Sequence, residues 1–105
     1  MKDLAAEVRA SVLMEYGRAK ARFGAVNNSN HESYAVILEE FEEAVEAGET
    51  FKSVFDNFWA LVKRNEPTEI VDKLSLMRCF AERAASEWVQ VAAMCYKAWK
   101  TVTDI

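Results

Sequence analysis

The stretch ILEEFEEAVEAGE, residues 37–49, decides the fold class because its apolar side chains recur every three or four residues. This spacing predicts an amphipathic helix. The same stretch holds six glutamates and no lysine or arginine. Like charges three and four residues apart repel each other on a helix. The concentration of carboxylates therefore indicates either an ordinary solvated face or a group that needs a cation.

The rest of the chain has the composition of a helical protein. With 105 residues it is long enough for one domain, which we expect to cover residues 1–105. It contains only three glycines and one proline, and straight-chain helix formers dominate. These features predict an all-α fold.

Four helices are predicted, and they cover residues 2–22, 31–47, 51–64 and 67–101. Either Ser29 or Asn30 caps the second helix, and Gly48 is expected to end it. Thr50 is placed to cap the third helix, and Pro67 suits the first turn of the fourth. Four helices with apolar faces and short connections predict a four-helix bundle-like architecture.

Charge is unevenly distributed along the chain. The net charge is −4, but residues 23–51 carry seven glutamates and no basic residue. An acidic chain without a basic stripe is a poor candidate for binding duplex nucleic acid. The acidic segment instead suggests a cation or a basic partner.

The sequence also predicts a protein outside the membrane, in the cytoplasm. No apolar run approaches the ~18 residues that a membrane span needs, and the first ten residues lack the apolar segment of a signal peptide. Cys79 and Cys95 share one predicted helix and lie too far apart for a disulfide. Free thiols fit a reducing compartment.

Two glutamates of the second helix lie on an unusual face. At 100° per residue, Glu40 and Glu43 share a narrow strip with Val36 and Ala47, and this strip is otherwise small and apolar. Glu39 borders it. Most glutamates are exposed to solvent. Because Glu40 and Glu43 share an apolar strip, they are the part of the run that could instead face another helix.

Glu87 lies in the middle of the apolar arc of the fourth helix. A buried carboxylate is costly unless it is paired, and Arg83, four residues earlier, is one available partner. Alternatively, Glu87 faces Glu40 and Glu43 across the helix interface. Three carboxylates at close range would then need a divalent cation such as Mg²⁺ or Mn²⁺.

Two segments, NSNHESYAVILEEFEEA and ERAASEWVQVAAMCYKA, resemble the MazG-like all-α nucleoside triphosphate pyrophosphohydrolases, in particular the small phage and bacterial members. That family carries EExxE on one helix and ExxD on a later one. Glu39 to Glu43 match the first motif fully. In the second motif Glu87 matches, but Gln90 stands where the family has aspartate.

The resemblance implies Mg²⁺-dependent hydrolysis of a nucleoside triphosphate to the monophosphate and pyrophosphate, with Mn²⁺ as a possible substitute. Glu40, Glu43, Glu87 and Gln90 are the implied metal ligands. Glu39 and Glu40 are the implied catalytic carboxylates, Glu39 as a ligand or as the base that orients water. Lys97 and Arg83 are the candidates for contact with the phosphates. The base is expected in an apolar pocket near Trp59 or Trp88.

The family likeness further implies a homodimer or homotetramer, in which the helical domain is completed by oligomerisation. Because glutamine is a neutral and weaker ligand than aspartate for a hard cation, position 90 leaves a second interpretation open. This is a non-catalytic member of the same family that binds a nucleotide or a protein partner. A third interpretation is a structural helical bundle whose glutamates are a solvated surface.

Overall fold

The computed structural model describes residues 3–103, which form three helices. These are α1 (Leu4–Phe23), α2 (Asn30–Arg64) and α3 (Pro67–Thr103), and the described residues contain no strand. The predicted all-α class is therefore confirmed, whereas the prediction of a four-helix bundle is wrong. Long as they are, none of the three helices has a stretch apolar enough to cross a bilayer.

The helix count differs because α2 continues through Gly48. A glycine inside a helix costs only about 1 kcal/mol relative to alanine, and the neighbouring Ala44 and Ala47 are buried. Packing of this face outweighs the local preference for a break. Thr50 does not cap a new helix, because its hydroxyl donates a hydrogen bond of 3.1 Å to the Glu46 carbonyl one turn earlier.

The ends of the helices follow the predicted signals more closely. Ser29 is the N-cap of α2, and its hydroxyl accepts from the Glu32 backbone N–H at 3.1 Å. At the other end, Asn65 adopts the left-handed conformation with φ 53°. Pro67 then begins α3 as predicted, because its missing N–H is not needed in the first turn of a helix.

α2 and α3 form an antiparallel hairpin joined by residues 65 and 66. Arg64 and Glu69 pair near the turn at 3.3 Å. Phe41 meets Trp88 edge-on far from it, with ring centroids 5.9 Å apart. α1 packs only against α3, where the rings of Tyr16 and Tyr96 meet at 4.8 Å. Because the backbones of α1 and α2 do not approach each other closely, a cleft remains between them with α3 as its floor.

The core of the single chain is thin. Its extents are 60 × 34 × 19 Å, and the smallest of these is about two helix diameters. The buried apolar side chains are mostly small, and many large ones are exposed. The helical spacing of residues 51–64 predicts that their aromatic side chains, Phe51, Phe55, Phe58 and Trp59, face inward. Phe55 and Trp59 are instead 51% and 61% exposed, so for these two the prediction is wrong in the isolated chain.

Candidate metal centre and the adjoining cleft

Three carboxylates converge where α2 crosses the middle of α3. Glu40 and Glu43 lie one turn apart on α2, and Glu87 approaches them from α3. One oxygen from each side chain lies within 4.8 Å of the other two. Glu40 and Glu87 are half-buried, and Glu43 is exposed. Packing of the predicted strip against α3 therefore places Glu87 beside Glu43 and Glu40, which precede it in the sequence by 44 and 47 residues.

The cluster is electrostatically unfavourable as it stands. Burial raises the pKa of Glu40 above its ordinary value, and the negative charges of Glu43, Glu87 and Glu39 raise it further. The alternative partner of Glu87 does not relieve this repulsion, since Arg83 is exposed and forms no ion pair with it within residues 3–103. The arrangement thus favours a proton or a bound cation.

The donor set fits a hard divalent cation. All three groups offer carboxylate oxygen, which Mg²⁺ and Mn²⁺ prefer. Oxygens bound to one Mg²⁺ at about 2.1 Å lie roughly 3 to 4 Å apart. The observed spacing of up to 4.8 Å between the oxygens of Glu40, Glu43 and Glu87 is wider than this, so the carboxylates would have to move closer together to share one ion.

The remaining glutamates of the run have different positions. Glu39 is exposed and lies at the wall of the cleft beside Glu40. Glu42, Glu46 and Glu49 are also exposed, as expected for solvated charge. The cluster thus lies on one side of α2, and Glu40 is the member of it that also lines the cleft.

The cleft between α1 and α2 encloses about 680 Å³, a volume in the range of small-molecule sites. Glu39 and Glu40 lie on its α2 side, and Arg18 and Arg22 lie on its α1 side. Lys97 lines it from α3. The α2 side therefore carries carboxylates, and the α1 and α3 sides carry these cations together with one carboxylate, Glu15.

The buried cation of the cleft is Lys97. The residue is only 6% exposed, and its ammonium nitrogen lies 5.9 Å from the centroid of the Phe23 ring. No carboxylate of residues 3–103 pairs with it. Charged lysines are rarely this buried without a partner, so Lys97 is suited to an anionic ligand. The predicted contact of Lys97 with phosphate stays a prediction.

Gln90 also lines the cleft, but its side chain is held by α1. Its Nε2 donates a hydrogen bond of 2.7 Å to the carboxylate of Glu15. Because an ionised carboxylate can only accept, the amide nitrogen must face Glu15. Only the amide oxygen of Gln90 is then free to act as a neutral ligand.

Three of the predicted contact residues do not line the cleft. Arg83 is exposed on α3. Trp88 packs against Phe41 on the α2 side of the hairpin, and Trp59 lies near the C-terminal end of α2, with the Lys63 ammonium 5.7 Å from its ring centroid. The structure therefore separates these side chains from the carboxylate-lined cavity.

Sequence reasoning missed the contribution of α1. Arg22 and Phe23 line the cleft, and the Arg22 guanidinium lies 5.2 Å from the centroid of the Phe23 ring. Arg18 and Arg22, four residues apart, lie on one face of α1. This spacing of two arginines, next to a segment without basic residues, was the sequence pattern that could have indicated a cationic side of the site.

The α1–α2 loop is fixed above the cleft. The Asn27 backbone N–H donates to the Thr101 hydroxyl at 2.8 Å, and its buried side-chain amide donates to the Ser33 hydroxyl at 2.8 Å. Tyr16 donates its hydroxyl hydrogen to the Ala25 carbonyl at 2.9 Å. These bonds hold the last turn of α1 next to α3.

Comparisons with protein-family models, with curated proteins and with solved structures returned no match to this chain. The functional assignment therefore depends on the residues and geometry of the carboxylate cluster and the cleft.

Proposed function

We propose that this chain hydrolyses a nucleoside triphosphate to the monophosphate and pyrophosphate in a reaction that requires Mg²⁺ or Mn²⁺. The observation that carries the proposal is the convergence of Glu40, Glu43 and Glu87 within 4.8 Å beside a cleft lined by the buried Lys97. A metal–polyphosphate complex needs both features, because carboxylates bind the cation and an ammonium binds the phosphates.

The residues have separate tasks in this proposal. Glu40, Glu43 and Glu87 hold Mg²⁺, which when bound neutralises phosphate charge and acidifies water. Glu39 accepts the proton of the attacking water from its position at the cleft wall. Water adds to the α-phosphorus, and the bond from that phosphorus to the bridging oxygen of the pyrophosphate group breaks. Lys97 holds the departing phosphates. Positioning and charge stabilisation provide most of the acceleration in phosphoryl chemistry.

The direct test is release of pyrophosphate from a panel of common and modified nucleoside triphosphates, with and without Mg²⁺ or Mn²⁺. Glu87→Gln keeps the size of the side chain and should lower kcat/KM at least about a hundredfold, since metal-ion catalysis contributes several kcal/mol. Glu42→Gln, an exposed position on α2, is the matched control and should retain activity. A folded wild-type protein with no turnover on any nucleotide would contradict the proposal.

A second candidate function is a nucleotide-binding module of the same MazG-like type without catalysis. The hydrogen bond from Gln90 to Glu15 favours it, because position 90 offers no charged ligand. This alternative predicts metal-dependent nucleotide affinity by calorimetry without pyrophosphate release. Turnover that depends on Glu87 would exclude it.

We also propose that the MazG-like fold is completed by a second copy of the chain, as a homodimer or a dimer of dimers. The chain exposes 7680 Å², whereas a monomer of this mass exposes about 5,900 Å². The excess of about 1,700 Å² is within the range that one partner buries in a large obligate interface. Exposed Phe55 and Trp59 provide the apolar surface that such interfaces use.

The proposed site of action is the cytoplasm, where nucleoside triphosphates are found. Cys79 and Cys95 are free and exposed. Exposed thiols stay reduced in that compartment, and the chain then needs no disulfide for stability.

A further inference from the structure

The charged groups of the α1–α2 cleft fall into two classes, those with a partner in the protein and those without. Glu15 is bonded by Arg18 and by Gln90, and Glu32 accepts from the Asn28 amide at 2.9 Å. Arg18 and Glu15 therefore neutralise each other within the fold, whereas Glu32 keeps its negative charge because its partner is a neutral amide.

The groups without an ion-pair partner are cations on the α1 and α3 sides of the cleft and carboxylates on the α2 side. Lys97 and Arg22 contact the Phe23 ring, and neither pairs with a carboxylate within residues 3–103. Glu32, Glu39 and Glu40 line the α2 side. A ligand of this cavity must therefore present negative charge to one side and positive charge to the other.

We propose that the cleft binds the diphosphate end of a polyphosphate chain, held by Lys97 and Arg22, and that it accepts this anion only together with a divalent cation. This inference rests on the proposed function and extends it to α1. A free polyanion would be repelled by Glu39 and Glu40, which line the same cavity. A cation bound at Glu40 removes that repulsion.

Binding of the two ions is therefore coupled. If the cation raises the affinity for the anion, the anion raises the affinity for the cation by the same factor. Lys97 is a fixed anchor because its side chain is enclosed. Arg22 is exposed, so it closes over the phosphates from the last turn of α1. The loop bonds at Asn27 keep that turn in place before the ligand arrives.

Calorimetry with inorganic pyrophosphate tests the inference without any need for turnover. The titrations use pyrophosphate with excess Mg²⁺, pyrophosphate with a chelator, and Mg²⁺ alone. We expect at least about tenfold tighter binding of pyrophosphate when Mg²⁺ is present, a factor typical of coupled sites. Equal affinity with and without Mg²⁺ would overturn the coupling.

Two variants test the anchors. Lys97→Met keeps the length of the buried side chain, and Arg22→Gln changes an exposed position that does not threaten folding. Each should weaken binding of Mg²⁺–pyrophosphate about tenfold to a hundredfold, the range of a charge-assisted hydrogen bond, and leave the affinity for Mg²⁺ alone unchanged. Lys20→Met, an exposed α1 position outside the cleft, is the matched control. Unchanged affinity in both variants would overturn the assignment.

The same variants separate this inference from the proposed function. Nucleotide hydrolysis with an unchanged KM in Lys97→Met and Arg22→Gln would leave the enzyme assignment standing and remove the phosphate site. Binding of Mg²⁺–pyrophosphate through Lys97, in a protein that hydrolyses no nucleotide, would support the phosphate site and contradict the proposed reaction.

Discussion

Gln90 on α3 donates a hydrogen bond of 2.7 Å to Glu15 on α1. This bond joins α1 to the helix that carries Glu87, one turn away from the carboxylate cluster. An aspartate at position 90 would place two carboxylates against each other in a part-buried site. The glutamine is therefore matched to this chain's own α1, whatever its relation to the proposed cation site.

Exchanging the two side chains tests this match. Gln90→Glu replaces the donor with a second carboxylate and should lower the free energy of unfolding by about 1 to 3 kcal/mol, because it removes a charged hydrogen bond. Adding Glu15→Gln restores a donor and an acceptor and should recover most of the loss in a double-mutant cycle. Urea denaturation measures each step. A double variant no more stable than Gln90→Glu would contradict the match.

The raised pKa of Glu40 predicts how stability depends on pH without divalent cations. Between the ordinary value of 4.5 and the raised folded value, the folded chain keeps a proton that the unfolded chain has lost. The free energy of unfolding should therefore fall as pH rises through this interval. Urea denaturation in a chelator at a series of pH values measures the fall.

Comparison with Glu40→Gln isolates the contribution of that carboxyl group. The variant should lack the fall, and Glu46→Gln, exposed on the same helix, should keep it. Millimolar Mg²⁺ should stabilise the wild type by mass action, about 2.7 kcal/mol at one hundred times Kd, and should not do so in Glu40→Gln. If the free energy of unfolding depended on pH in the same way for the wild type and for Glu40→Gln, the raised pKa of Glu40 would be contradicted.

Gly48→Ala should stabilise the chain by about 0.5 to 1 kcal/mol, because glycine costs that much within a helix. A Cβ at this position meets no atom within 4 Å. Chemical denaturation at constant protein concentration measures the change. Destabilisation would instead show that another copy of the chain packs closely on Gly48.

The aromatic stripe of α2, in which Phe51 is half-buried and Phe55 and Trp59 are exposed, predicts the surface that a second copy covers. Phe51 and Phe55 stack with ring centroids 5.9 Å apart, and Trp59 follows one turn later. Trp59→Glu should convert the oligomer to a monomer in sedimentation experiments and lower its thermal stability. Lys52→Glu, a surface control on the same helix, should leave the mass unchanged. A monomeric wild type would contradict the proposed assembly.

The sequence predicted helix starts better than helix continuity. Ser29 and Pro67 begin α2 and α3 because their effects are local, a side-chain cap and a missing N–H. Gly48 was misjudged because the burial of Ala44 and Ala47 against α3 is a tertiary effect. Whether a glycine interrupts a helix depends on that packing, which the local pattern does not contain.

The carboxylate cluster was predictable for a related reason. Helical periodicity placed Glu40 and Glu43 on one strip and Glu87 in an apolar arc, and two amphipathic helices bury such faces together. The cleft was not predictable, because it depends on α1 lying against α3 with its backbone held away from α2. Periodicity assigns a face to Arg22, but it does not say which helix that face approaches.

The unbroken course of α2 through Gly48 has a mechanical consequence. Glu43 and Phe55 are twelve residues apart on one rod, which separates them by about 18 Å along its axis. α2 has no break between the segment that carries the glutamates and the segment that carries the exposed aromatic rings. A partner that packs on the aromatic rings therefore also fixes the orientation of α2, and with it the positions of Glu40 and Glu43 relative to Glu87. We expect assembly and cation affinity to vary together.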